Sequence, residues 1–361
     1  MDLDRTITFA TVTSRGYIDQ AAGLLLNLRE FYPAVEFVIC ALDADTERAF
    51  RNTGDPHVSC VSAVDVWGED HWRNLTSRMS VPERAFASKS ALVAWAVETR
   101  GHPVLLLDSD LLFLSRIDDI IEMLRSHPLL LVPGRHPWDA WRKTANFGLF
   151  SAGIVGVTPK AVPMARSWRA MCFEACMATS LSGLYYEQKY LDYFVSVDGL
   201  KILNDPGINV SQTLLKLLGP RRAGNGAWMV GEKTMLRIYH ASRSTDDEFE
   251  LARMKADYNR RGIATLGLGE GRSGPREQRT GNRIGFAALV RALGIGGALE
   301  GVANFMDRMS RGLITLHRVL TLHDHTLAAR FRELRRKRSL QVEFERSAGW
   351  ESAAEVSRVD R

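Results

Sequence analysis

From Thr6 to about Gly262, short runs of β-branched and apolar residues alternate with longer stretches of helical period, and few architectures accommodate that alternation. A strand, a helix and a second strand in succession pair in parallel, because the helix carries the chain back along the sheet. ITFATVT (Ile7 to Thr13) predicts the first strand. YIDQAAGLLLNLREFYP then sets Ala21, Leu24, Leu25 and Leu28 on one helical face and stops at Pro33. EFVICAL (Glu36 to Leu42) and HVSCVSAV (His57 to Val64) predict two more strands. SKSALVAWAVETRG carries Leu92, Val93, Ala96 and Val97 on one face and ends at Gly101, a helix with a glycine stop. It delivers the chain to PVLLLDSD, a fourth strand that ends on two aspartates.

The second half continues the pattern less regularly. FGLFSAGIVGV (Phe147 to Val157) predicts a strand, with Gly153 and Gly156 marking close backbone approach. Helix is expected from Pro159 to about Met177 and again over Tyr185 to Ser196. LKILND, the PGINVSQ loop and LRIYHAS close an α/β domain over residues 1–262. Residues 263–285, rich in Gly, Arg and Ser without an apolar period, predict a linker or mobile loop. Helical patterns return over 286–340 as a C-terminal extension, and 341–361 is expected to be a flexible tail.

Composition excludes some functions. No basic run leads into an apolar one at the start, which predicts no secretory leader. No window holds about 18 uninterrupted apolar residues, so a spanning helix is not expected. Cys40, Cys60, Cys172 and Cys176 are scattered and predict reduced core thiols in a cytoplasmic protein. The formal charge of +5 is uneven, because RFRELRRKR (Arg330 to Arg338) sets six cations against one glutamate. That run fits a solvated helix face and a peripheral contact with anionic headgroups at the inner face of a membrane equally well. A nucleic-acid partner is disfavoured, since the run lacks interleaved aromatics. Self-association is left open.

Chemistry concentrates where the apolar run Val104 to Leu107 meets Asp108 and Asp110. In extended chain, residues two apart face the same side, and open α/β sheets bind ligands beyond the carboxyl ends of their strands. Two carboxylates against an apolar element are costly unless a cation joins them, and together they form half of an oxygen-rich site for a hard divalent ion. Asp-x-Asp by itself also marks ordinary strand ends. SRIDDI supplies a second acidic cluster at Asp118 and Asp119.

The segment KSALVAWAVETRGHPVLLLDSDLLFLSRIDDI resembles the central signature of the GT-A glycosyltransferases, most closely family 8, the group of glycogenin and the bacterial lipopolysaccharide galactosyltransferases. The matching positions are Lys89, Trp95, Asp108 with Asp110, and Ile117 to Asp119, and the resemblance extends over roughly Thr6 to Ser244. It implies a Rossmann-like nucleotide-diphospho-sugar transferase domain with a mainly parallel sheet. It further implies Thr13 and Tyr17 at the nucleoside, and Lys89, Ser109 and Gly153 at the donor. Glu187 and Gln188 fall where the family carries Asp-Gln beside the reacting sugar. Asn209 falls in the loop that touches donor or acceptor, and His240 matches the third metal ligand. Two departures stand out: Ser151-Ala152-Gly153 lacks the family's Asn, and the phosphate-contacting lysine is missing, with Arg243 as a candidate substitute.

The expected function is therefore metal-dependent transfer of a sugar from a nucleoside diphosphate donor, UDP favoured, to a glycan, lipid-linked or protein acceptor in bacterial glycan biosynthesis. Retention of configuration and Mn²⁺ or Mg²⁺ follow from the same resemblance. VWGEDHWRN (Val66 to Asn74) and HPWDAW (His136 to Trp141) have a composition suited both to stacking on acceptor sugars and to loop packing. The competing functions are a non-catalytic nucleotide-binding or scaffold module of a glycan-assembly complex, and an Asp-x-Asp phosphotransferase.

Overall fold

The computed structural model describes residues 7–134, 147–176, 186–224, 226–231, 233–241 and 250–267. The chain divides into two compact units, Met1–Arg276 and Glu277–Arg361. The second unit lies outside the described residues, as do the expected C-terminal helices, the tail, HPWDAW and Arg243.

The first half builds as its alternation requires. Strand β1 (Thr8–Thr13) leads through a turn at Arg15–Tyr17 into helix α1 (Ile18–Phe31), then β2 (Glu36–Ala41), α2 (Ala44–Arg51) and β3 (Val58–Ser62). Three helices follow: α3 (Ala63–Trp67), α4 (Glu69–Arg78) and α5 (Val81–Arg100). Helix α5 starts at a capping box in which Ser80 and Glu83 satisfy each other's ends, has Pro82 in its first turn, and stops at Gly101 with φ 69°. Strand β4 (Val104–Leu107) comes next, then β5 (Leu111–Phe113), α6 (Asp118–Ser126), β6 (Leu129–Pro133), β7 (Phe150–Val157) and α7 (Val162–Ala175). A 3₁₀ segment at Gln188–Ser196 precedes β8 (Leu200–Ile202), β9 (Val210–Ser211), α8 (Gln212–Leu218), β10 (Pro220–Arg222), β11 (Trp228–Val230), β12 (Thr234–Met235) and β13 (Ile238–His240). Helix α9 (Glu250–Thr265) is the last described element.

The central sheet has the order β3-β2-β1-β4-β7-β6-β8. Its neighbours run parallel except β7, which is antiparallel to both β4 and β6. Fold class is thus α/β with a mainly parallel sheet, as the sequence implied. The strand order reverses between β1 and β4, so the carboxyl ends of those two strands flank the crevice where such sheets hold ligands. Two apolar layers cover the faces. One is built on α5 and α7 with Trp67 and Trp168, the other on α1 and α6 with Phe9, Phe37 and Phe113.

Three expectations are corrected. Of the two uses left open for Val66 to Asn74, Trp67 serves packing, though on helix α3 rather than in a loop: it is buried, and its indole N–H donates to Ser88 Oγ at 2.9 Å. Residues 63 and 64 belong to that helix rather than to β3, because Ser62 caps it. The run from Gln188 is 3₁₀ rather than α-helical, since the apolar faces of Tyr190, Leu191 and Phe194 need only that short, tight turn to reach the core.

Candidate metal and donor site

The two aspartates converge through a turn rather than through the two-residue period of a strand. Strand β4 ends at Leu107, and Leu111 N–H donates to Asp108 C=O at 3.2 Å, closing a tight turn over Asp108–Leu111. Asp108 N–H still donates across to Gly153 C=O at 2.9 Å, so β7 holds the start of the turn in the sheet. β5 then leaves as a short strand of a separate sheet with the order β5-β13-β9.

That small sheet brings in the third group. β13 pairs antiparallel with β5, His240 opposite Leu111, and Ala241 N–H donates to Asp110 C=O at 3.0 Å. Its other edge pairs in parallel with β9, His240 beside Ser211. One ligand atom from each of Asp108, Asp110 and His240 lies within 4.8 Å of the others. His240 Nε2 is 3.0 Å from Asp110 Oδ1 and 3.7 Å from Asp108 Oδ2. An octahedral cation with ligand bonds near 2.1 Å spaces adjacent donor atoms about 3 Å apart, so the donor set and its spacing fit a divalent ion.

Asn209 decides what His240 presents. Its backbone is left-handed, φ 57°, a conformation Asn tolerates better than most residues, and its Oδ1 faces His240 Nδ1 at 2.8 Å. That contact keeps a hydrogen on Nδ1 and aims Nε2 at the carboxylates, the arrangement in which an imidazole binds metal. With no metal, a proton must occupy Nε2 or two acceptors would face each other. Burial opposes that proton, but Asp110 and then Asp108 outweigh it and raise the His240 pKa. Asp110 is also pushed upward by burial, yet His240, Lys255 and Lys89 together draw it down to about 2.

Lys89, the lysine singled out on α5, bridges two acids. Its Nζ is 2.6 Å from Asp108 Oδ1 and 2.9 Å from Glu187 Oε1. Burial opposes the ammonium, but the two carboxylates raise its pKa well above that of a free lysine. Glu187, only 3% exposed, sits above the ordinary carboxylate pKa, because desolvation outweighs Lys89. Trp168 Nε1 donates to Glu187 C=O at 2.9 Å and seats its backbone.

The remaining residues divide. Gly153 leaves little room: a Cβ there would lie 3.1 Å from His240 Cε1 and 3.2 Å from Asp108 Oδ2, pressing on both side chains. Gln188 is turned to the backbone, accepting from Ala152 N–H at 3.3 Å and donating to Phe147 C=O at 3.0 Å. At the end of β1, Thr13 Oγ1 donates to Tyr17 C=O at 3.1 Å, and Tyr17 is 41% exposed. Ser109 occupies the turn itself, and its carbonyl accepts from Lys255 at 3.0 Å. Sequence reasoning missed Lys255, because a lysine on a charged helix carries no signal of burial.

No family model matches the chain, and no curated protein does. Among solved structures, the apo form of the glycosyltransferase GlyE from Streptococcus pneumoniae TIGR4 is 14% identical over 73% of this chain and 62% of that one, with a TM-score of 0.47. An active-site variant of LgtC is 11% identical over 70% and 94%, with a TM-score of 0.46. Mouse xyloside xylosyltransferase 1 in its apo form is 12% identical over 67% and 98%, with a TM-score of 0.45. At scores below 0.5 these likenesses assign no function.

Proposed function

We propose that the chain is a glycosyltransferase of GT-A type that moves a sugar from a nucleoside diphosphate donor, UDP favoured, to an acceptor hydroxyl with retention of configuration. The observation that carries it is the convergence of Asp108, Asp110 and an Asn209-oriented His240 at the switch point of a mainly parallel sheet. Those three residues would hold Mn²⁺ or Mg²⁺, which when bound offsets the charge of a diphosphate leaving group. Lys89 places its ammonium between the metal site and Glu187, keeping a carboxylate beside the cleft without leaving its charge uncompensated. Thr13 and Tyr17 flank the same crevice at the end of β1, where a nucleoside would stack and hydrogen-bond. Gln188 braces the start of β7, so its role is to set the backbone at Ala152 and Gly153 rather than to meet the sugar through a free amide.

The test is calorimetric titration of the protein with UDP, with and without Mn²⁺, followed by a donor and acceptor panel read by mass spectrometry. Metal-dependent UDP binding with transfer from one donor is the expected result; its absence would sink the proposal. Binding without hydrolysis or transfer would instead favour a scaffold. A phosphotransferase with Asp108 as nucleophile is disfavoured because the pair ends the fourth strand, about a hundred residues into the chain, rather than the first. For 286–340, liposome flotation against a chain truncated before Phe286 tests membrane contact. Among the described residues no helix is long and apolar enough to cross a membrane.

A further inference from the structure

Helix α9 reaches the metal site from behind. It packs on α1 at near backbone contact: a Cβ on Gly262 would lie 2.5 Å from Ala22 C, and one on Gly23 would lie 2.2 Å from Asn259 Oδ1. At that separation a side chain from α9 passes beneath α1 to the crevice floor, and the one that does so is a lysine. Lys255 is 1% exposed. Its Nζ donates to Gln20 C=O at 3.2 Å and to Ser109 C=O at 3.0 Å. Burial lowers its pKa to about 8 despite the opposing pull of Asp110 and Asp19. An apolar side chain would fill that space without the cost of burying an ammonium on two carbonyls. What the lysine adds is a fixed link between α1 and the peptide that lies between the two aspartates.

We propose that Lys255 is a positioning residue of the metal site: it ties the Asp108–Asp110 turn to α1 and so sets the directions of both carboxylates. Besides the side-chain contacts of Lys89 and His240, the turn's backbone is held by the Asp108 N–H bond to Gly153 C=O and the Ala241 N–H bond to Asp110 C=O. Lys255 anchors the central peptide through the Ser109 carbonyl. Loss of the link should let that peptide rotate and spread the carboxylates, an effect on geometry at one place rather than on the fold as a whole.

The experiment compares the full chain with Lys255→Met in two ways. In metal-free protein, amide hydrogen exchange over 105–113 should quicken in the variant, while the amides of β2, on the far side of β1, keep their rates. In calorimetric titration with Mn²⁺, affinity should fall about 10–100-fold, the range expected when a partner that orients metal ligands is lost. A lysine that served packing alone would lower Tm and leave both the turn's exchange and the Mn²⁺ affinity of the folded protein unchanged; that outcome overturns the proposal. Where Lys255→Met does not fold, Lys255→Gln takes its place: its amide stays polar but ends one bond short of the ammonium and so gives up the contacts with Gln20 C=O and Ser109 C=O, and it is judged by the same two readouts. Only the Mn²⁺ arm rests on the function proposed above. If the wild type binds no Mn²⁺, that function fails and the exchange arm still decides the role of Lys255.

Discussion

Asp108 with Asp110, and Asp118 with Asp119, are two acidic pairs ten residues apart on one chain, and the structure gives them opposite fates. Asp118 accepts from Tyr32 O–H at 3.1 Å and from Arg116 Nε at 2.8 Å. Asp119 takes the guanidinium of Arg237, which also reaches Asp205 at 3.3 Å and the carbonyl of Arg116 at 3.0 Å. Hydrogen bonds from those arginines, foremost, hold both carboxyls below the usual range. Asp119 thereby clamps the residue before β13, three positions ahead of His240, while Asp118 is held by Tyr32 and Arg116. The first pair meets an ammonium and an imidazole, with side chains 19% and 20% exposed, and its histidine carries an exchangeable proton. An acid locked in a guanidinium fork is structural, whereas acids gathered around a removable proton leave room for a metal.

The strongest way to break this contrast is to neutralise each pair in turn. Asp108→Asn or Asp110→Asn should abolish Mn²⁺-dependent UDP binding, a loss beyond the ~10–100-fold that follows removal of an outer partner, while Asp118→Asn should leave it intact. Calorimetry with UDP and Mn²⁺ decides, and an equal effect from both pairs would erase the distinction. Asn209→Ala comes next, with Mn²⁺ affinity expected to drop about 10–100-fold as His240 loses its orientation.

Proton competition at His240 gives a third, smaller effect. Its folded pKa is raised, so the stability it adds to metal-free protein is complete below the unfolded value of about 6.5 and is lost as pH rises through the folded value. Metal must displace that proton. Mn²⁺ affinity should therefore increase with pH up to the raised folded value of His240 and level off above it, by up to about tenfold per unit while one proton is released; a flat profile from pH 6 to 9 would show that His240 is not a ligand. The smallest effect belongs to Asp119→Asn. Because that carboxylate is half-exposed, the variant should lose only about 1 kcal/mol, read as a Tm drop of roughly 2–4 °C with Mn²⁺ affinity preserved.

Much of this was legible along the chain. The alternation to Gly262 specified a mainly parallel sheet, and the apolar run ending at Asp108 marked the strand whose carboxyl end faces the crevice. Lys89, placed one helix earlier, does reach that strand end. The composition around Trp67 left stacking and packing open, because tryptophan with nearby charges reads alike on a loop and on a short capped helix whose ring turns inward. Gln188 was legible as a polar residue at the right place but not as one whose amide is taken up by two backbone groups.

Local pattern thus determined the elements, their order and the residue types able to bind a metal, because periodicity and capping act over a few neighbouring residues. Only tertiary structure decided which of those residues meet. Pairing of β13 with β5 carries His240 to Asp110 across 130 positions of sequence, and the close packing of α1 on α9 brings Lys255 beneath Ser109. Neither contact leaves a trace in the period or composition of its own segment, because each depends on a register between elements that the chain fixes only when they fold together.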